Sequence, residues 1–319
     1  MIRQLPLLIL LALPLLLGDG YHLRFAAEVL IMATAVISLD LLIGYGGLVS
    51  LGHAAIFGTA AYAAALTAIR FGANLPLVLA AGVIAATVIA GLMALLARRS
   101  SGLFFLILTL VGGQIVWEVA FHWRDLTGAA DGLRGIPPLT LDLGITSLPL
   151  ASSPALYLVA AIICLAGLSL ARSFVDAPIG RALVGTREQP LRMEALGYDI
   201  GRIRLRTMLA AGVIAGLAGS IYPFVNQYVG PNAVHWTLSA AMIIMAVLGG
   251  VGTLYGGLIG AVVYMTIQTY LSSYTDRWQL IIGAIFVGTV ILMPHGIMPV
   301  IGSLARRLGW RNPEADHGA

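Results

Sequence analysis

The chain has 319 residues, of which 59% are apolar and 10% charged, against roughly 45 to 50% apolar in a soluble domain. That balance excludes a water-soluble globule and marks an all-α polytopic membrane protein, with about ten transmembrane helices of about 20 residues each. Its formal net charge is +4 and it has no lysine, which rules out within this chain a P-loop of the G-x-x-x-x-G-K type, a lysine Schiff base and a Ser-Lys dyad.

The first predicted span, Leu5 to Leu17, follows Arg3. No small-x-small cleavage site precedes Tyr21, so it reads as an uncleaved anchor. The second, Ala26 to Ile43, carries Glu28 and Asp40 and ends at a glycine cluster, Gly44-Tyr45-Gly46-Gly47. The third, Leu48 to Ile69, contains His53 and Tyr62; the fourth and fifth are Leu75 to Ala97 and Leu103 to Phe121. An outer loop, 122–150, holds Trp123, Asp125, Asp131-Gly132, Asp142 and Pro137-Pro138. Further spans are Ala155 to Ala171, Thr207 to Tyr222, Leu238 to Leu248, Leu254 to Leu271 and Leu280 to Met293. A second glycine cluster, Gly249-Gly250-Val251-Gly252 with Gly256-Gly257, precedes Tyr264. Residues 1–311 read as a single transmembrane domain, and 312–319 as a disordered cytoplasmic tail.

The arginines fix an orientation. With each span reversing direction, Arg3, Arg98-Arg99, the segment 172–206 and Arg306, Arg307 and Arg311 all fall on one side, which the positive-inside rule makes cytoplasmic. Both termini are then expected inside. Arginine beside the spans points to topology and anionic membrane lipid, not to nucleic acid. Cys164 lies within an apolar run and reads as a small buried residue.

The segment 172–206 is a hydrophilic island with seven arginines and four acids. Pro178 opens a turn or short helix, Pro190 suits the first turn of a second helix, and Gly197 suits its left-handed cap. Leu191, Glu194 and Ala195 share a face, with Arg192 opposite. Such a helix docks in a groove of a partner or lies in the lipid interface. The glycine clusters are either tight turns or breaks lining a substrate pathway.

Ionisable residues near spans are candidates for function or pairing. Asp40 is expected near the inner end of its helix, and Glu118 near the outer end of its own. His53 is expected to make a hydrogen bond within the bundle, since no histidine or carboxylate stands near it at metal-ligand spacing. An ion-coupled secondary transporter needs carboxylates near mid-span, which are few here. A membrane enzyme needs convergent catalytic groups, and the six histidines are scattered.

Four stretches, taken together and in order, resemble branched-chain amino-acid ABC importer permeases of the LivM type. They are Asp40 to Ala55, Leu126 to Leu133, the region Gly180-Arg181-Ala182-Leu183 with Arg187-Glu188, Glu194-Ala195-Leu196-Gly197 and Ala215 to Gly219, and Leu248 to Gly256. Two departures, Ala129-Ala130 before the Asp-Gly pair and Gln114 where many members have an acid, bear on substrate identity. The resemblance implies a homologous LivH-type permease, two ABC ATPase subunits that bind ATP and magnesium, and a periplasmic or lipid-anchored binding protein. It makes Gly180, Arg181, Ala182, Leu183, Arg187, Glu188, Glu194, Ala195, Leu196 and Gly197 the ATPase-coupling residues. The candidate pathway set is Asp40, Gly44, Gly46, Gly47, His53, Gly249, Gly250 and Gly252. Asp125, Asp131 and Gly132 are candidates for docking the binding protein. This chain itself needs no cofactor, metal or catalytic residue. The implied cargo is branched-chain amino acids, with urea, short amides or aromatic acids as the alternative.

Overall fold

Every apolar segment from Ala26 onward forms a helix, and most of these helices run past their hydropathy boundaries. The computed structural model describes residues 19–98, 100, 102–142, 147–275, 277–292 and 296–298. The first expected span, Arg3, Arg99, Asp276, both termini and the tail arginines lie outside the described residues.

Helix α1 (Gly20–Asp40) passes directly into a π-helical turn, Leu41–Tyr45. Then come α2 (His53–Phe71), α3 (Leu75–Ala97) and α4 (Leu103–His122). The outer loop holds a one-turn helix, Arg124–Thr127, a 3-10 turn, Ala129–Asp131, and a small antiparallel ribbon of β1 (Thr140–Asp142) and β2 (Ser147–Pro149). That ribbon is a local departure from the all-α expectation.

Helix α5 spans Ser153–Asp176, α6 Pro178–Glu188, α7 Pro190–Ala195 and α8 Ile200–Asn226. The chain continues through α9 (Trp236–Gly249), α10 (Tyr255–Ser272) and α11 (Trp278–Leu292). Among the described residues, 6 helices are long and apolar enough to cross a membrane: α1 with its π turn, α2, α3, α4, α5 and α8. The island is shorter than its charge pattern, because α5 takes Arg172 to Asp176 and α8 takes Ile200 to Arg206. Charge marks where the chain meets water; it does not mark where the helix stops.

Helix α8 is the centre of the bundle and packs on α1, α2, α3 and α5. Its small residues make this possible. Gly212 faces Ala90, Gly216 faces Val83 and Ala86 of α3, and Gly219 lies against Phe57 and Ala60 of α2. In lipid, where burial of apolar surface gives helices little reason to associate, such close backbone packing holds them together. Cys164 is buried in the same core.

The helix ends gather as the alternation of spans requires. At the end that carries residues 122–150, the expected outer end, Arg24 Nε donates to Ser153 Oγ at 3.3 Å. Thr140 N donates to the Ala73 carbonyl at 2.8 Å, and Leu133 and Val229 exchange backbone hydrogen bonds. At the opposite end Arg204 donates to the Ser100 carbonyl, and Arg187 to that of Gly44. All the described island arginines thus belong to one end of the bundle.

Candidate functional site

The proline and glycine pattern of the island produces two short helices in series. Pro178 and Pro190 each occupy the first turn of their helix, where a missing N–H costs nothing. Helix α7 ends in a Schellman motif: Tyr198 N donates to the Met193 carbonyl at 3.0 Å and Gly197 N to that of Glu194 at 2.9 Å. Gly197 takes φ +85° to close it, a conformation that strains any other residue.

The expected coupling residues separate into two groups. Gly180, Ala182 and Leu183 are buried against the bundle, so they anchor α6 and offer no outer surface. Leu183 packs with Ile203, Tyr45, Phe174 and Met193. Arg181, Arg187, Glu188, Glu194, Ala195, Leu196 and Gly197 are exposed. Beside them stand Leu191, 81% exposed, and Tyr198, 49% exposed. Helix α7 buries none of its residues, and its inward contact is Met193 against Gly185. Leu191 of α7, and Leu196 and Tyr198 just beyond it, are therefore uncovered at the arginine-rich end.

The two glycine clusters, more than two hundred residues apart in sequence, meet directly beneath α6. A Cβ on Gly44 would lie 2.5 Å from the Gly252 backbone, so the approach requires glycine. Asp40 Oδ1 accepts from Gly252 N at 2.7 Å, and Oδ2 from Leu254 N at 3.1 Å. The carboxylate is 1% exposed, and these charge-assisted bonds offset its burial. Leu254 itself holds φ +55° and ψ −47°, which costs on the order of 1–3 kcal/mol for a non-glycine residue. Asp40 thus clamps a strained connection between α9 and α10.

At the arginine-rich end, Arg187 Nη1 donates to the Gly44 carbonyl. Arg172 sits over the Tyr255 ring at 4.3 Å, a cation–π contact at the start of α10. Neither contact was readable from spacing, because each joins residues far apart in the chain. A local signal existed only for Asp40, a carboxylate four residues before a glycine break.

The remaining candidates lie apart from this junction or at its edge. His53 is fully buried, with Nε2 2.6 Å from Ser38 Oγ, while Ser239 Oγ accepts from Ala54 N at 2.8 Å. These bonds tie the start of α2 to α1 and α9. Glu28 meets the Asn226 side chain. Glu118 is exposed at the outer end of α4, its Oε1 3.3 Å from His122 Nδ1. Asp125 and Asp131 are exposed on the outer loop, and a Cβ on Gly132 would collide with the Val229 carbonyl. Gly249 packs against Gly256, and Gly47 lies along the Arg187 side chain. Among the described residues no group of His, Cys, Asp or Glu is assembled for a metal ion.

The family model described as branched-chain amino acid transport system / permease component matches residues 21–290. The chain belongs to this family. It is similar to the high-affinity branched-chain amino acid transport system permease protein LivM of Salmonella typhimurium, at 26% identity over 92% of this chain and 73% of that protein. LivM of Escherichia coli gives the same figures. A probable LivH permease of Methanocaldococcus jannaschii is 28% identical over 40% of this chain and 43% of its own length. No solved structure matches. As a permease of this family the chain is a multi-pass membrane subunit of an ABC transporter, of LivM type, and not an enzyme.

Proposed function

We propose that this permease forms, with a homologous LivH-type permease, the inner-membrane pathway of an ATP-driven importer for branched-chain amino acids. Two ATPase subunits, carrying ATP and magnesium, dock at the arginine-rich end, which faces the cytoplasm. A periplasmic or lipid-anchored binding protein delivers substrate to the outer loop, where Asp125 and Asp131 are exposed. The names of the relatives support the cargo. The observation that carries the assembly is the exposure of Leu191 in α7 and of Leu196 and Tyr198 just after it, in a segment framed by arginines. An amphipathic helix presented this way fits a groove on a partner.

An ion-coupled mechanism is less well supported by the carboxylates. Asp40 is committed to two backbone N–H groups, Glu28 to Asn226, and Glu118 lies exposed beside His122. ATP-driven closure of the ATPases would move the docked island as a rigid body and so bias the spans between inward and outward access.

The test is purification of the tagged chain from its native membrane in mild detergent, followed by reconstitution. Recovery of two ATPases and a second permease, with ATP hydrolysis stimulated by a leucine-loaded binding protein, is expected. Recovery of the chain alone, under conditions that keep a known importer together, overturns the assembly. Stimulation by urea-loaded or aromatic-acid-loaded binding protein, and not by the leucine-loaded one, overturns the cargo.

A further inference from the structure

The docking island and the glycine junction are joined by one side chain. Arg187 is the penultimate residue of α6, the helix that leads into α7. Its guanidinium reaches the Gly44 carbonyl, and its aliphatic stem lies along Gly47, where a Cβ would fall 2.8 Å from Arg187 Cγ. Gly44 touches Gly252, and Asp40 holds Gly252 and Leu254. Leu183, one turn earlier on α6, lies against Gly46. The chain of contact therefore runs from α6 to the end of α1 and on to the loop between α9 and α10.

We propose that Arg187 is the positioning residue that couples movement of the island to both glycine breaks, with Asp40 fixing the second break to the first. This rests on the reading of the island as the ATPase-docking surface. A hydrogen bond to a backbone carbonyl at a π-helical turn is suited to this, because backbone displacement moves the helix and not merely a side chain. The strained Leu254 is held in place by the Asp40 carboxylate, so the second break has a conformation that depends on the first. Arg187 then acts as a rigid link that stays closed through the cycle.

The experiment uses the full complex, purified with its ATPases and binding protein and reconstituted in liposomes, and reads leucine uptake per ATP hydrolysed. Absence of ATPases or of ATP-driven uptake with the unaltered chain would overturn the underlying reading itself. Given those, Arg187→Ala is expected to recover the ATPases normally, with basal hydrolysis recorded beside uptake. Uptake per ATP should fall at least tenfold, and Arg187→Lys, which keeps a donor, should restore at least a third of it. Unchanged uptake per ATP in Arg187→Ala overturns the proposal. So does a variant that loses ATPase recovery and uptake together, since Arg187 would then only hold α6 in place.

A second measurement replaces the hydrogen bond with a covalent one. A Cβ at position 47 would lie 3.7 Å from Arg187 Cβ, within the span of a disulfide. The double variant Gly47→Cys with Arg187→Cys is expected to be uncoupled when reduced and to gain at least fivefold in uptake per ATP after mild oxidation, reversibly with dithiothreitol. Oxidation that forms the bridge and leaves uptake per ATP unchanged, or lowers it, overturns the rigid link.

Discussion

The two ends of the bundle are fastened by different chemistry. At the outer end, backbone meets backbone, Leu133 with Val229, Thr140 with Ala73, Leu150 with Leu139, and the side-chain contacts of Arg24 with Ser153 and Asn74 with Asp142 lie beside that pairing. At the arginine-rich end, charged side chains reach the backbone of distant segments, as Asp40 does at Gly252 and Leu254, Arg187 at Gly44 and Arg204 at Ser100. Backbone pairing survives the loss of most side chains, because nearly every residue carries the same donor and acceptor. A fastening made of single charged groups does not. The outer end is thus a fixed frame, and the arginine-rich end is the place where one residue sets the geometry of several helices.

This contrast predicts a gradient of effects. Asp40→Ala leaves two N–H groups at the glycine junction without their acceptor and should cost about 3 kcal/mol or more, read as a lower midpoint in denaturant titration of the detergent-solubilised protein. Gly197→Ala forces a Cβ onto φ +85° and should cost about 1–2 kcal/mol, while lowering ATPase recovery because α7 loses its cap. Asn74→Ala removes an acceptor for Asp142 N at the outer end. It should cost about 1 kcal/mol or less, because the pairing of Thr140 with Ala73 remains. Asp131→Asn, exposed on the outer loop, should leave stability within about 0.5 kcal/mol; reduced stimulation by the binding protein in that variant would support docking there. If Asn74→Ala destabilised more than Asp40→Ala, the distinction between the ends would collapse.

Much of this fold was legible because its signals are local. Hydropathy located Leu75 to Ala97 to the residue, and Pro178, Pro190 and Gly197 marked helix starts and a stop that the backbone adopts. Proline and glycine act on their own φ angles, so their meaning does not depend on the fold. The ends of α1, α5 and α8 were misjudged, since helices continue into polar sequence such as Arg202 to Arg206 once hydrogen bonding and a cap at Asp199 permit it. The contact between the two breaks could not be read, although each was marked by its glycines: Asp40 and Gly252 are 212 residues apart, and only the packing of α1 against α10 brings them together. Asp40, Gly44 and Gly252 hold two segments to each other, and His53 fastens the start of α2.

Helix α8 carries one more consequence. Its 27 residues extend roughly 40 Å at 1.5 Å per residue, well beyond a hydrocarbon core of about 30 Å. Its first turn follows Tyr198 with only Asp199 between, so the island and the central mast of the bundle share a root. A rod of that length is a lever: held at its far end, where Pro223, Phe224 and Asn226 sit close to the backbone pairing of Val229 with Leu133, a tilt of about 5° swings its root by roughly 3–4 Å.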